Sequence, residues 1–285
     1  MKLPLAVLAF VFVHSLGFAQ TAQPLTRRVS AIPPEPRDGE GTATTLVPIL
    51  VYHAIRPYIE SDTPSARRYI ATPQTLEDEL AWLKDNGYAS ISFDDLVSHI
   101  EAGTLLPPKP VIISFDDDWE NQYSHGLPLL KKYGYTATFF IWVGVVGKKH
   151  HMRWDEIKEL ARDGMQIGCH TMTHPYLTRI KNNEDLRREI VIAKRDIEAH
   201  TGATITTLAY PFGQYDKRVV ETVKAAGFTS ARSTWPGVMH SKEGLYSLTG
   251  FIRTDSKKSL VEAIENYTTL AQESKAILEH EGMLP

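Results

Sequence analysis

The chain of 285 residues carries one cysteine, Cys169. No internal disulfide can form, so core packing and hydrogen bonds must hold the fold whatever the redox state of its compartment. A strong excess of one charge sign is also missing. With 31 basic and 34 acidic residues the formal charge is −3, and nothing electrostatic points to nucleic acid as a partner. No glycine-rich phosphate loop follows any strand-like segment, which weakens a nucleotide-binding reading. Long apolar runs are absent too. The most apolar stretch, "LPLAVLAFVFV" (Leu3–Val13), is too short to span a membrane comfortably.

That stretch reads instead as the core of an export signal. Lys2 precedes it, and Gly17 and Ala19 supply the small residues of a cleavage site. Residues 1–19 are therefore expected to be a signal peptide, with an uncleaved anchor as the alternative. A lipoprotein signal would need a cysteine near the cleavage point, and none is there. Residues 20–45 are rich in Pro, Thr, Gly and charge and have no apolar period, so they read as a flexible linker. Residues 46–285 remain for one domain. The expected location is secreted, periplasmic or cell-envelope, with no stable membrane insertion after signal cleavage.

From Leu46 onward the pattern is rhythmic. Amphipathic segments such as "WDEIKELARDG" stop at a glycine and lead into β-rich runs such as "MQIGCHT". Thr72 and Pro73 open one helix, with Leu76, Leu80 and Leu83 at helical spacing. Leu186, Ile190, Ala193 and Ile197 fall on one face of another. Such alternation predicts a parallel sheet covered by helices. About seven or eight units suit a (β/α) barrel. An open doubly wound sheet is the runner-up.

In such barrels chemistry sits at the C-terminal ends of the strands. Tyr52 and His53 end the first run, and Asp116, Asp117 and Asp118 end "VIISF". His170 and His174 follow "MQIGC", and Tyr210, Pro211 and Phe212 end "ITTLA". Two imidazoles and a carboxylate are a common ligand set for a divalent catalytic metal. A neighbouring aspartate can then act as a base. Acidic residues at a strand end can also simply cap the next helix.

"SFDD" followed by an aromatic, then "HTMTH", then "YPFG", resembles the NodB-homology polysaccharide deacetylases, carbohydrate esterase family 4, of the secreted bacterial type. The likeness covers roughly Leu46 to Asp255. It implies a distorted barrel of about seven strands. It implies Asp116 as general base and Asp117, His170 and His174 as ligands of a divalent metal, most commonly zinc. Thr171 and Thr173 would shape the loop, and the backbone N–H of Phe212 would help bind the oxyanion beside Tyr210.

Two positions depart from the family pattern. Asp118 stands where the family usually has glycine. Ala209 stands where an arginine often orients the base. Arg232, at the end of "FTSAR", is a candidate for that task; an ordinary surface arginine is the alternative. The general acid is also displaced. "ILEH" offers His280, in a stretch that reads as helix or tail. His53 is the better candidate, because the first and last strands of a barrel are neighbours.

The expected activity is metal-dependent removal of N-acetyl groups from an N-acetylglucosamine-containing polysaccharide. An O-acetyl esterase with the same site is one alternative, and an exported glycan-binding protein with a degenerate site is another.

Overall fold

The computed structural model describes residues 44–253 and 256–280. The expected signal peptide, and all but the end of the expected linker, lie outside them.

A single curled sheet organises the domain. Its seven principal strands are β1 (Ile49–Tyr52), β2 (Pro110–Phe115), β3 (Thr138–Ile141), β4 (Gln166–Cys169), β5 (Thr207–Ala209), β6 (Ser230–Arg232) and β7 (Phe251–Ile252). Their spatial order is β6-β5-β4-β3-β2-β1-β7, and every pairing is parallel. The order follows the chain without the reversal that defines a doubly wound sheet, so the barrel reading holds and its runner-up falls. Ala89–Ser90 is a short strand pairing with β2 off this path.

One segment spans the open side. Leu248 bridges to Arg232 of β6, and three residues later Phe251 pairs with Leu50 of β1. A buried network clamps this segment. Arg253 donates to Glu79 at 2.5 Å, and Glu79 accepts from the Tyr52 hydroxyl at 2.5 Å.

Strand alternation sorts the side chains into two layers. Leu50, Ile113, Phe115, Phe139, Ile141, Ile167, Cys169 and Leu208 face outward into the main core beneath the helices. Ile49, Ile112, Phe140 and Ala209 face inward and join a second core. That inner core is floored by Phe93 and Leu96 of the helix Phe93–Ala102. This helix is capped by a Ser92–Asp95 capping box and ended by Gly103 at φ 71°. It plugs the barrel instead of lying on its outside. Phe140 fills the interior so fully that a Cβ on Gly168 would stand 2.5 Å from its ring.

The outer helices form as their sequences dictate. Thr72 caps Pro73–Asp85, which buries Leu76, Leu80 and Leu83. The run from Asn183 to Thr201 buries Leu186, Ile190, Ala193 and Ile197, but its middle, Arg188–Ile192, is π-helical. A second π stretch is Gln122–Gly126. Single π turns leave no periodic mark in sequence, and they favour functional sites.

His240 is buried against the Val47 carbonyl, 2.9 Å from its Nε2. Burial pushes its pKa down to about 4, with the bond to Val47 opposing. Between that value and the ordinary one near 6.5, the unfolded chain binds a proton that the folded chain refuses. Stability should therefore fall as pH drops through this window. His240→Gln should flatten the plot of Tm against pH there, and an unchanged slope would refute this account.

Candidate active site and metal centre

The inward layer of β2 runs Ile112, Ser114, Asp116, so alternation aims Asp116 into the mouth of the barrel. It is buried, and Arg232 Nη2 donates to its Oδ1. Arg232 is 0% exposed and lies over the Phe140 ring, 5.0 Å from its centroid. It is held in register beside Ala209 on the adjacent strand. An arginine at either position would occupy the same interior layer. Burial alone would raise the Asp116 pKa, but Arg232, His170 and His53 hold it below the usual carboxylate value.

After Asp116 the backbone turns left-handed, with φ 74° at Asp117 and 42° at Asp118. Asp tolerates this region better than most non-glycine residues. The turn sends three adjacent carboxylates to three different places. Asp117 Oδ1 lies 3.4 Å from His170 Nε2 and 3.5 Å from His174 Nε2. Asp118 is wholly buried and its Oδ1 accepts the Trp142 N–H at 3.1 Å. Burial pushes the Asp118 carboxyl well above its ordinary range, Asp117 adds to this, and the bond from Trp142 opposes it.

The histidine loop is equally shaped. Thr171 and His174 have φ 68° and 56°. The Thr171 hydroxyl accepts from the His174 N–H at 3.1 Å, and the Thr173 hydroxyl donates to Glu189 at 2.6 Å. His170 Nδ1 donates to the Ala209 carbonyl at 2.8 Å, which leaves Nε2 of the neutral ring as a lone pair facing the site.

Asp117, His170 and His174 can place one ligand atom each within 4.8 Å of one another. The donor set fits a divalent cation. The two Nε2 atoms are 3.1 Å apart, and Asp117 Oδ1 is buried without a hydrogen-bond partner. Two lone-pair nitrogens and an orphaned carboxylate oxygen facing one point are poorly explained by hydrogen bonding alone.

A family model described as polysaccharide deacetylase matches residues 105–231. The Bacillus subtilis protein YxkH, whose name assigns it provisionally to the polysaccharide deacetylases, is 29% identical over 203 residues, 71% of this chain and 69% of its own. The poly-β-1,6-N-acetyl-D-glucosamine N-deacetylase of Staphylococcus aureus (strain MSSA476) is 26% identical over 200 residues, 62% of this chain and 68% of its own. The crystal structure of a Bacillus cereus polysaccharide deacetylase superposes with a TM-score of 0.68 at 27% identity, covering 78% of this chain and 69% of that one. The chain carries a NodB-homology polysaccharide deacetylase domain over residues 105–231. Members of this family are generally metal-dependent, and the Asp–His–His cluster is where this deacetylase can hold an ion.

Several residues of the deacetylase sit where sequence reasoning did not put them. Tyr210 was expected on the substrate side. It is 1% exposed, stacks on Tyr215, and donates its hydroxyl to the Tyr246 carbonyl at 3.0 Å. Its side chain is a packing group, because alternation turns it outward from the barrel. Tyr52 is likewise outward, against Phe115 and Glu79. Arg232, by contrast, takes the base-orienting position for which it was the candidate: it is buried and bonded to Asp116, and it is not the surface arginine of the alternative. Asp118, at the position where the family usually has glycine, is wholly buried.

Phe212 lies in a short turn, Pro211–Gly213, with φ 59°. Its ring is 49% exposed, stacks on Tyr176 at 3.9 Å and meets His174 edge-on at 4.7 Å. His53 reaches the rim with its Nε2 3.9 Å from Asp116 Oδ2 and its ring edge-on to Tyr69. Burial lowers its pKa, against the pull of Asp117 and Asp116. His280 ends the last helix, Lys257–His280.

Other supporting groups went unforeseen. Gln122 donates to the carbonyls of Asp116 at 2.6 Å and His53 at 3.0 Å, tying two strand ends together. Glu189 accepts from Met172, Thr173 N–H and the Thr173 hydroxyl. Each sits in a π stretch. His151 stacks on Trp119 and donates from Nδ1 to the Asp117 carbonyl at 3.1 Å. Only the polar run "WENQYSH" after the aspartates could have signalled any of these.

The Asp116–Arg232 pair yields a stability prediction. Arg232→Met leaves a buried carboxylate without its partner and should cost about 3–5 kcal/mol. Adding Asp116→Asn should restore part of that loss. Urea unfolding of both variants checks this, and a cost below about 1 kcal/mol for Arg232→Met would contradict it.

Proposed function

We propose that this deacetylase hydrolyses the N-acetyl groups of an N-acetylglucosamine polymer outside the cytoplasm. The observation that carries the reading is the convergence, on one rim, of the Asp117–His170–His174 cluster with Asp116, which Arg232 holds ionised. The Staphylococcus aureus relative, named for poly-β-1,6-N-acetyl-D-glucosamine, directs the choice of polymer. The signal-like segment 1–19 supports export, with 46–285 as the working domain. Among the described residues no helix is long and apolar enough to cross a membrane.

A divalent cation held by Asp117, His170 and His174, zinc in this reading, would lend Lewis acidity to the acetyl carbonyl and the attacking water. Asp116 takes the proton of that water as general base, its second oxygen fixed on Arg232. The Phe212 N–H donates to the developing oxyanion. The carbon–nitrogen bond breaks, acetate departs, and the amine needs a proton. His53 supplies it. Because burial keeps the His53 ring from charging in advance, the proton reaches it from Asp116, whose Oδ2 is 3.9 Å away.

A glycan-binding protein with a degenerate site loses its main support. Arg232 supplies, one strand over, the guanidinium that Ala209 lacks.

Asp116→Asn should keep metal, by elemental analysis, and lose about 10²-fold or more in turnover. Retained turnover in the loaded variant would remove Asp116 from the role of base. His53→Ala should also keep metal and lose turnover, whereas His280→Ala should do little. Since His53 acts without prior charging, kcat/KM should hold as pH rises above the ordinary histidine value of 6.5. A rate that collapses above that pH would mean a pre-formed imidazolium is needed. Acetate release measured on β-1,6-linked N-acetylglucosamine oligomers, chitin oligomers, peptidoglycan and acetylated xylan tests the substrate class. Release from xylan alone would replace the amidase with an O-acetyl esterase.

A further inference from the structure

The turn that follows β3, residues 142–144, is hydrogen-bonded to both ligand loops at once. On one side the Trp142 N–H donates to Asp118 Oδ1 at 3.1 Å. On the other, the Val143 N–H donates to the Thr171 carbonyl at 3.2 Å and the Gly144 N–H to the Met172 carbonyl at 2.8 Å. The Trp142 indole also tilts over the His174 ring, with centroids 4.9 Å apart. Gly144 has no alternative residue here, since a Cβ would stand 2.5 Å from the Met172 carbonyl oxygen. Asp117 lies on one side of this bracket and His170 and His174 lie on the other. The distances that make them a ligand set run across it.

Asp118 anchors the bracket on the acidic side. Its own carbonyl accepts the Met152 N–H at 2.9 Å, so both its backbone and its side chain are committed. A glycine would suit its φ of 42°. What glycine cannot supply is the oxygen that Trp142 needs.

We propose that Asp118 is a positioning residue of the metal site, fixing the separation of Asp117 from His170 and His174 through the bracket 142–144. The proposal rests on the reading of those three residues as metal ligands. Groups that orient ligands in this indirect way commonly change metal affinity 10–100-fold when removed.

The test is calorimetric titration of Zn²⁺ into the chelator-stripped full chain, in wild type and in Asp118→Asn, Asp118→Gly and Gly144→Ala. Asn keeps an acceptor oxygen and tolerates the left-handed backbone, whereas Gly keeps the backbone and loses the acceptor. Gly144→Ala breaks the far end of the bracket. Asp118→Asn should bind Zn²⁺ much as wild type does. Asp118→Gly and Gly144→Ala should bind about tenfold more weakly or worse. Amide exchange at Trp142 should quicken in Asp118→Gly and not in Asp118→Asn, a readout independent of metal. Wild-type affinity in Asp118→Gly overturns the proposal. Equal weakness in Asn and Gly overturns it too, because the carboxylate charge rather than the tie would then be responsible. A wild-type protein that takes up no Zn²⁺ refutes the metal-site reading and the proposal with it, and the wild-type titration alone tells that failure apart.

Discussion

A guanidinium buried inside a barrel is the constraint on which the site depends. Arg232 is sealed from solvent, rests on Phe140 and bonds Asp116. Burying either charge alone would be costly, and the pair is tolerated because each satisfies the other. Room for it comes from small neighbours: Ala209 pairs with it on β5, and a Cβ on Gly250 would already stand 3.4 Å from its Cδ. Enlarging either of them would displace the arginine and then the carboxylate. The chemistry at the rim is in this sense set one layer below, by side-chain volumes that never meet a substrate.

Above that layer the chain is bent against its preferences. Asp117, Asp118, Thr171, His174 and Phe212 all carry positive φ without being glycine. Such conformations persist only where surrounding contacts over-determine them, and they gather where geometry matters more than stability. Here the contacts are identifiable. Gln122 and Glu189 reach in from two π-helical stretches, and residues 142–144 join the acidic loop to the histidine loop.

The fold was legible because its elements obey local rules. Leucines 76, 80 and 83 repeat at helical spacing behind a Thr-Pro start, and the strands are short apolar runs between glycine stops. The ligand candidates were legible for a different reason: carboxylates and imidazoles recur at strand ends, where a barrel gathers them. What stayed hidden was direction and depth. Tyr210 and Tyr52 sit at strand ends as His170 and His53 do, yet they point the other way, and one residue of offset decides which. Arg232 could be offered in place of the arginine missing at Ala209, but its depth could not be read, because the two positions become neighbours only once β5 and β6 are in register. The π stretches were invisible, since one extra residue in a helical turn leaves the apolar pattern almost unchanged.

The segment from Leu248 to Ile252 touches both sides of the seam, meeting β6 first and β1 soon after. Arg232 and His53 belong to those two sides, and Asp116 faces both. During synthesis the first strand must therefore wait for a partner about 200 residues later in the chain, and closing so long a loop is entropically slow. Most of the sheet can form before that moment, but the rim cannot acquire its final curvature. Assembly of the active site is thus a late folding event, and a nascent chain held short of this segment carries the reactive residues without their arrangement.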